Sequence, residues 1–101
     1  MVNLFVELYL EQNEISDVKA LGTLTSLQKL SLSRNKISDV TALGTLTSLQ
    51  TLLLEENLIC DVKALGALVD LQELHLRQNP IRDFTALRPL KKLRDIMFDI
   101  P

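Results

Sequence analysis

Apolar side chains in the stretch Leu27 to Leu46, LQKLSLSRNKISDVTALGTL, change their spacing part-way along. Leu30 and Leu32 alternate with polar neighbours at the period of two that a half-buried strand requires. Val40, Leu43 and Leu46 instead recur every third residue, as on one face of a short helical turn. One unit therefore predicts a strand, a bend and a helical turn. The same order returns 22 residues to either side, aligning Asn13, Asn35, Asn57 and Asn79 in one column, Ile15, Ile37, Ile59 and Ile81 in a second, and Asp17, Asp39, Asp61 and Asp83 in a third. Repeats at 5–26, 27–48, 49–70 and 71–92, with a half-repeat at 93–101, make a single domain of the whole chain, 1–101.

Each column has a physical task. No repeat can bury its Leu and Ile residues alone, so stacked repeats share one core, to which each fully buried side chain contributes roughly 1.5–3 kcal/mol. Asn amides placed in that core can bond to the loop backbone of neighbouring coils, which offsets their desolvation. The Asp column precedes the helical turn and is expected to accept from its free N–H groups as an N-cap. Gly22, Gly44 and Gly66 are expected to end those turns as C-terminal stops.

Residues in the order LxxLxLxxNxIxDVxALGxL resemble the leucine-rich repeat family in its 22-residue class. The chain is similar to the bacterial internalins and to the intracellular repeat subunit that regulates a eukaryotic protein phosphatase. The resemblance runs from Phe5 to Phe98. It implies an α/β repeat fold, a right-handed solenoid with a parallel β-sheet on the concave face and short 3₁₀ or helical turns on the convex side. It also implies a module that binds another protein on the concave sheet, and a motif that carries no catalytic residue.

The ends depart from the pattern. The first strand starts within a few residues of Met1, Arg88 stands where the Gly column predicts glycine, Phe84 and Pro89 appear, and Pro101 falls where the next Asn belongs. The run Asn79-Pro80-Ile81 followed by Pro89-Leu90-Lys91-Lys92-Leu93 is similar to the closing repeat of the intracellular class, without its aromatic-rich cap helix. Such ends predict a fragment of a longer protein, or end-to-end self-association through uncovered core and strand edge.

Charge and composition narrow the function classes. About half of the residues are apolar, and the formal charge of −2 gives no field that would steer the chain to nucleic acid or an anionic membrane. The single cysteine, Cys60, cannot form an intrachain disulfide, which favours a reducing compartment. The run Val2 to Leu10 is broken by Glu7 and preceded by no basic side chain, so it reads as a strand rather than a signal-peptide core; with Cys60 it points to a cytoplasmic protein. Apolar runs extend for only a few residues, against the roughly 20 a membrane-spanning helix needs.

Candidate chemistry lies on the strand positions that alternate away from the core. The central column holds Tyr9, Ser31, Leu53, His75 and Met97 in one exposed row. Beside it run Glu7, Lys29, Thr51, Glu73, Asp95, then Glu11, Ser33, Glu55, Arg77, Asp99, then Gln12, Arg34, Glu56, Gln78, Ile100. These columns carry seven acids against three bases, a net charge of −4, around an apolar centre. Residues 15–35 and 37–57 differ at only five of 21 positions, Lys19/Thr41, Lys29/Thr51, Ser31/Leu53, Ser33/Glu55 and Arg34/Glu56, and four of the five belong to these columns. General drift changes every face, whereas a binding face changes one.

Other candidates have plainer readings. His75 is the one histidine; a metal would need acids such as Glu55 and Glu73 beside it, and no zinc or calcium spacing is present, so it reads as a surface histidine with no metal or cofactor implied. Cys60 takes the place of Ser16 and Ser38 with no histidine near and reads as a tolerated small residue. Glu55 and Glu56 are adjacent and face apart, which argues against a two-carboxylate catalytic pair. Arg88, Lys91, Lys92 and Arg94 read as a solvated flank, and Tyr9 among acids does not suit nucleic acid. The sequence thus predicts a non-enzymatic module whose partner carries basic residues around an apolar anchor. Tyr9, Leu53, Met97, His75, Glu7, Glu11, Glu55, Glu73 and Arg77 would form its contact surface. The alternative is a spacer segment of a larger repeat protein that touches neighbours through its ends.

Overall fold

A computed structural model describes residues 6–99. Five strands of three residues each, Glu7–Tyr9 (β1), Lys29–Ser31 (β2), Thr51–Leu53 (β3), Glu73–His75 (β4) and Asp95–Met97 (β5), form one parallel sheet in sequence order. The register follows the 22-residue repeat: Leu8 pairs with Leu30, Leu30 with Leu52, Leu52 with Leu74, and Leu74 with Ile96. Opposite the sheet lie 3₁₀ turns at Lys19–Thr23, Thr41–Thr45, Lys63–Ala67 and Thr85–Leu87. With three residues per turn, side chains at i and i+3 stack above one another, which explains the spacing of Val40, Leu43 and Leu46. All three are buried, together with Leu27, Leu30, Leu32 and Ile37 of the same coil.

The buried Asn column ties successive coils together. The Asn57 amide donates to the Leu54 carbonyl of its own coil and the Leu32 carbonyl of the preceding one, both at 3.0 Å, and its oxygen accepts from Ile37 N–H at 3.0 Å. Asn35 and Asn79 repeat the arrangement on their own neighbours. Among the described residues no buried side-chain nitrogen or oxygen lacks a partner. The desolvation that this column requires is therefore met by bonds between coils.

Two expectations about the turns change. The Asp carboxylates sit one residue before the N-cap position, which is held by Val18, Val40, Val62 and Phe84. Each still accepts from the first N–H of its turn, as Asp17 does from Lys19 and Asp39 from Thr41, both at 2.9 Å. The glycines are not C-terminal stops. Gly22, Gly44 and Gly66 lie inside the 3₁₀ turns and none has positive φ. Their reason is proximity: a Cβ on Gly22 would stand 3.2 Å from the Ala42 carbonyl oxygen of the next coil, and one on Gly44 3.0 Å from that of Ala64. A Cβ on Gly66 would come closer still to the Ala86 oxygen. Arg88 takes the column in the last turn, where no further 3₁₀ turn packs among the described residues.

Left-handed backbone instead falls on Gln12, Arg34, Glu56 and Gln78, with φ of 56–60°, where the chain bends from strand to Asn. Non-glycine residues there carry a conformational cost of roughly 1–2 kcal/mol each. Their backbone N–H groups bond to the next coil, as Arg34 does to Glu55 at 2.8 Å and Glu56 to Arg77 at 2.9 Å. At the C-terminal end Phe84, in the Val column, stacks on Phe98, in the Leu column, with ring centroids 4.6 Å apart. Both rings are partly buried and pack against the hydrophobic core.

Candidate functional site

Parallel pairing in register brings column-mates side by side across the concave sheet. Tyr9, Ser31, Leu53, His75 and Met97 are consecutive partners on β1 to β5, and Glu7, Lys29, Thr51, Glu73 and Asp95 form the row beside them. The central row is not uniformly exposed. Tyr9 is 50% exposed, Leu53, His75 and Met97 are half-buried, and Ser31 is 4% exposed, a small side chain between the larger Tyr9 and Leu53. Glu11 and Arg77 are exposed just beyond their strands. Ile100 lies outside the described residues.

Two clusters form on this face. On β1, the Tyr9 hydroxyl donates to Glu7 Oε1 at 2.7 Å and the Lys29 ammonium lies 5.4 Å from the ring centroid, so the ring is held by a carboxylate at one end and a cation over its face. On β3 to β5, His75 is surrounded by acids. Its Nδ1 lies 3.3 Å from Glu55 Oε2, and its Nε2 lies 3.2 Å from Glu73 Oε2 and 3.5 Å from Asp95 Oδ2. The side chain is 15% exposed, a partly buried place on the outward face of the sheet. Glu55 and Glu73 are legible as neighbours from the sequence; Asp95 is reached only through the column, 22 residues after Glu73.

At the edge of the sheet, Glu55 also accepts from the Ser33 hydroxyl, while Glu56 pairs with Arg34 at 2.7 Å. Adjacent acids thus serve different partners. Away from the sheet, Lys92 pairs with Asp70 at 2.8 Å and Arg94 donates to Gln72 Oε1 at 2.6 Å, which ties part of the C-terminal basic group to the preceding coil. Cys60 is exposed in the Ser16/Ser38 column. Among the described residues no helix is long and apolar enough to cross a membrane.

The leucine-rich repeat sequence pattern, in a two-copy form, matches residues 6–45. Internalin C2 of Listeria monocytogenes superposes with a TM-score of 0.88 at 37% identity, over 90% of this chain and 40% of that one. A second internalin from the same organism gives 0.91 at 30% identity, over 92% of this chain and 27% of that one. A leucine-rich repeat protein of Leptospira interrogans gives 0.74 at 35% identity, over 94% and 25%. The chain therefore spans 25–40% of the length of these structures. No curated protein matches it. Repeat pattern, in-register sheet and these likenesses together make the chain a leucine-rich repeat protein. Domains of this class generally mediate protein–protein interaction and are generally non-enzymatic.

Proposed function

We propose that the chain is a protein-interaction module that takes a partner segment, basic around an apolar anchor, on its concave sheet. The observation that carries this reading is the difference between two otherwise near-identical repeats. Residues 15–35 and 37–57 differ at five positions, and Lys29/Thr51, Ser31/Leu53, Ser33/Glu55 and Arg34/Glu56 all belong to the concave columns or their edge. Identical Ser16/Ser38, Thr23/Thr45 and Gln28/Gln50 on other faces argue against general drift. Tyr9, Leu53 and Met97 supply apolar contact. Glu7, Glu11, Glu55 and Glu73 attract and orient a basic partner, and Arg77 meets a single acid at its margin.

Affinity capture with the wild type, and with a variant in which Glu7, Glu11, Glu55 and Glu56 become lysine, identifies a partner that only the wild type retains. Titrating that partner tests the anchors. Tyr9→Ala and Leu53→Ala each weaken binding by more than about 1 kcal/mol while leaving the protein folded. Unchanged affinity in the double variant would reject the concave face as the contact surface.

A further inference from the structure

We propose that Glu73, His75 and Asp95 form a binding site for a divalent metal ion of the zinc class. The inference rests on these side chains and does not require a protein partner on the sheet. Their ligand atoms, one from each residue, all lie within 4.8 Å of one another. Two ligands each about 2.0–2.2 Å from a tetrahedral ion are separated by roughly 3.3–3.5 Å. The imidazole Nε2 lies 3.2 Å from Glu73 Oε2 and 3.5 Å from Asp95 Oδ2, so one nitrogen–oxygen separation falls just short of that range and the other within it.

The other ring nitrogen supports the same assignment. In the tautomer whose Nδ1–H donates to Glu55 Oε2 at 3.3 Å, the Nε2 lone pair faces Asp95 Oδ2 at 3.5 Å with Glu73 Oε2 beside it at 3.2 Å, three acceptors with no donor between them. A cation at that point turns mutual repulsion into ligation. Glu55 then acts as a positioning residue that fixes the tautomer and ring orientation, as carboxylates behind metal-bound histidines do. Imidazole with two carboxylates suits zinc and its transition-metal neighbours. Calcium is disfavoured because it seeks six to eight oxygens, and magnesium because it seeks octahedral oxygen ligation. Three protein ligands leave a fourth position open toward the concavity. The spacing along the chain concealed the site because Asp95 comes from the next coil.

The test is calorimetric titration of zinc chloride into the full chain carrying Cys60→Ser, which removes the one competing thiol, at a pH above the ordinary histidine value of about 6.5. The expected result is one ion per chain. His75→Ala and the double variant Glu73→Gln/Asp95→Asn each weaken binding more than tenfold with unchanged circular dichroism, and Glu55→Gln weakens it by about tenfold. Zinc added to the same protein should shift the NMR resonances of the His75 ring. Absence of zinc binding in the Cys60→Ser protein, equal affinity after His75→Ala, an unmoved His75 ring, or calcium binding as tight as zinc would each overturn the assignment.

Discussion

Replacing Asn57 by alanine removes four hydrogen bonds, and the structure separates their consequences. The longest, 3.3 Å to the Glu55 carbonyl, matters least because that oxygen keeps its 2.8 Å bond from Arg34 N–H. Ile37 N–H is buried and loses its 3.0 Å bond to Asn57 Oδ1, and orphaning a buried donor costs about 1–3 kcal/mol. Carbonyls of Leu32 and Leu54 lose a donor too, but each keeps another: Asn35 remains on Leu32 at 2.9 Å and Asn79 on Leu54 at 2.9 Å. Those two losses are ordinary net hydrogen bonds, about 0.5–1.5 kcal/mol each. Asn57→Ala should therefore destabilise by about 4 kcal/mol, a large share of the roughly 5–15 kcal/mol that holds a small domain. The internal control is Asn13, exposed and, among the described residues, bonded only locally, to the Leu10 and Glu11 carbonyls at 3.0 and 3.2 Å, where alanine should cost about 1 kcal/mol or less. Urea unfolding followed by circular dichroism measures both. Equal losses at the two positions would refute the claim that the column acts by joining coils.

The glycine column gives a graded prediction: Gly66→Ala should cost about 2 kcal/mol by driving its Cβ into the Ala86 carbonyl, whereas Gly22→Ala, with 3.2 Å to Ala42, should stay within about 1 kcal/mol of wild type. Thermal unfolding of the two variants, ranked against each other, checks it. A pH prediction follows from Asp83, whose carboxyl is held below its usual 3.8 by the Thr85 backbone N–H and then by the Thr85 hydroxyl, at 2.9 and 2.7 Å. Because the folded value is depressed, its contribution is present above pH 3.8 and is lost as pH falls through the folded value beneath it. Asp83→Asn keeps an acceptor oxygen but no longer titrates, so its urea midpoint should fall less than that of wild type between neutral pH and about pH 2.5.

The sequence carried the strand and turn periods because each reports a local geometry: alternation at Leu30 and Leu32, spacing by three at Val40, Leu43 and Leu46. It also carried the Asn column, since a polar residue recurring among core positions needs backbone partners. The glycines were misread because a stop and a close approach demand the same residue, and only the distance to Ala42, Ala64 and Ala86 tells them apart. Ser31 was misread for a related reason. Alternation fixes which face a side chain is on, but its exposure depends on how large Tyr9 and Leu53 are on either side.

The same reasoning explains why the chemistry of the sheet was harder to read than its shape. In a helix or a hairpin, residues that act together stand a few positions apart, and motif spacings describe that neighbourhood. Here the in-register sheet makes residue i the neighbour of i+22, so a cluster is spelled across coils: Glu73 with Asp95, Leu53 with His75, Ser33 with Glu55. His75 draws on three coils at once, with Glu55 before it, Glu73 beside it and Asp95 after it. A substitution in any one coil therefore alters a site owned by its neighbours. Because Asn, Ile and Leu columns hold the register without help from the outward positions, those positions are free to vary, and near-identical repeats can present different surfaces.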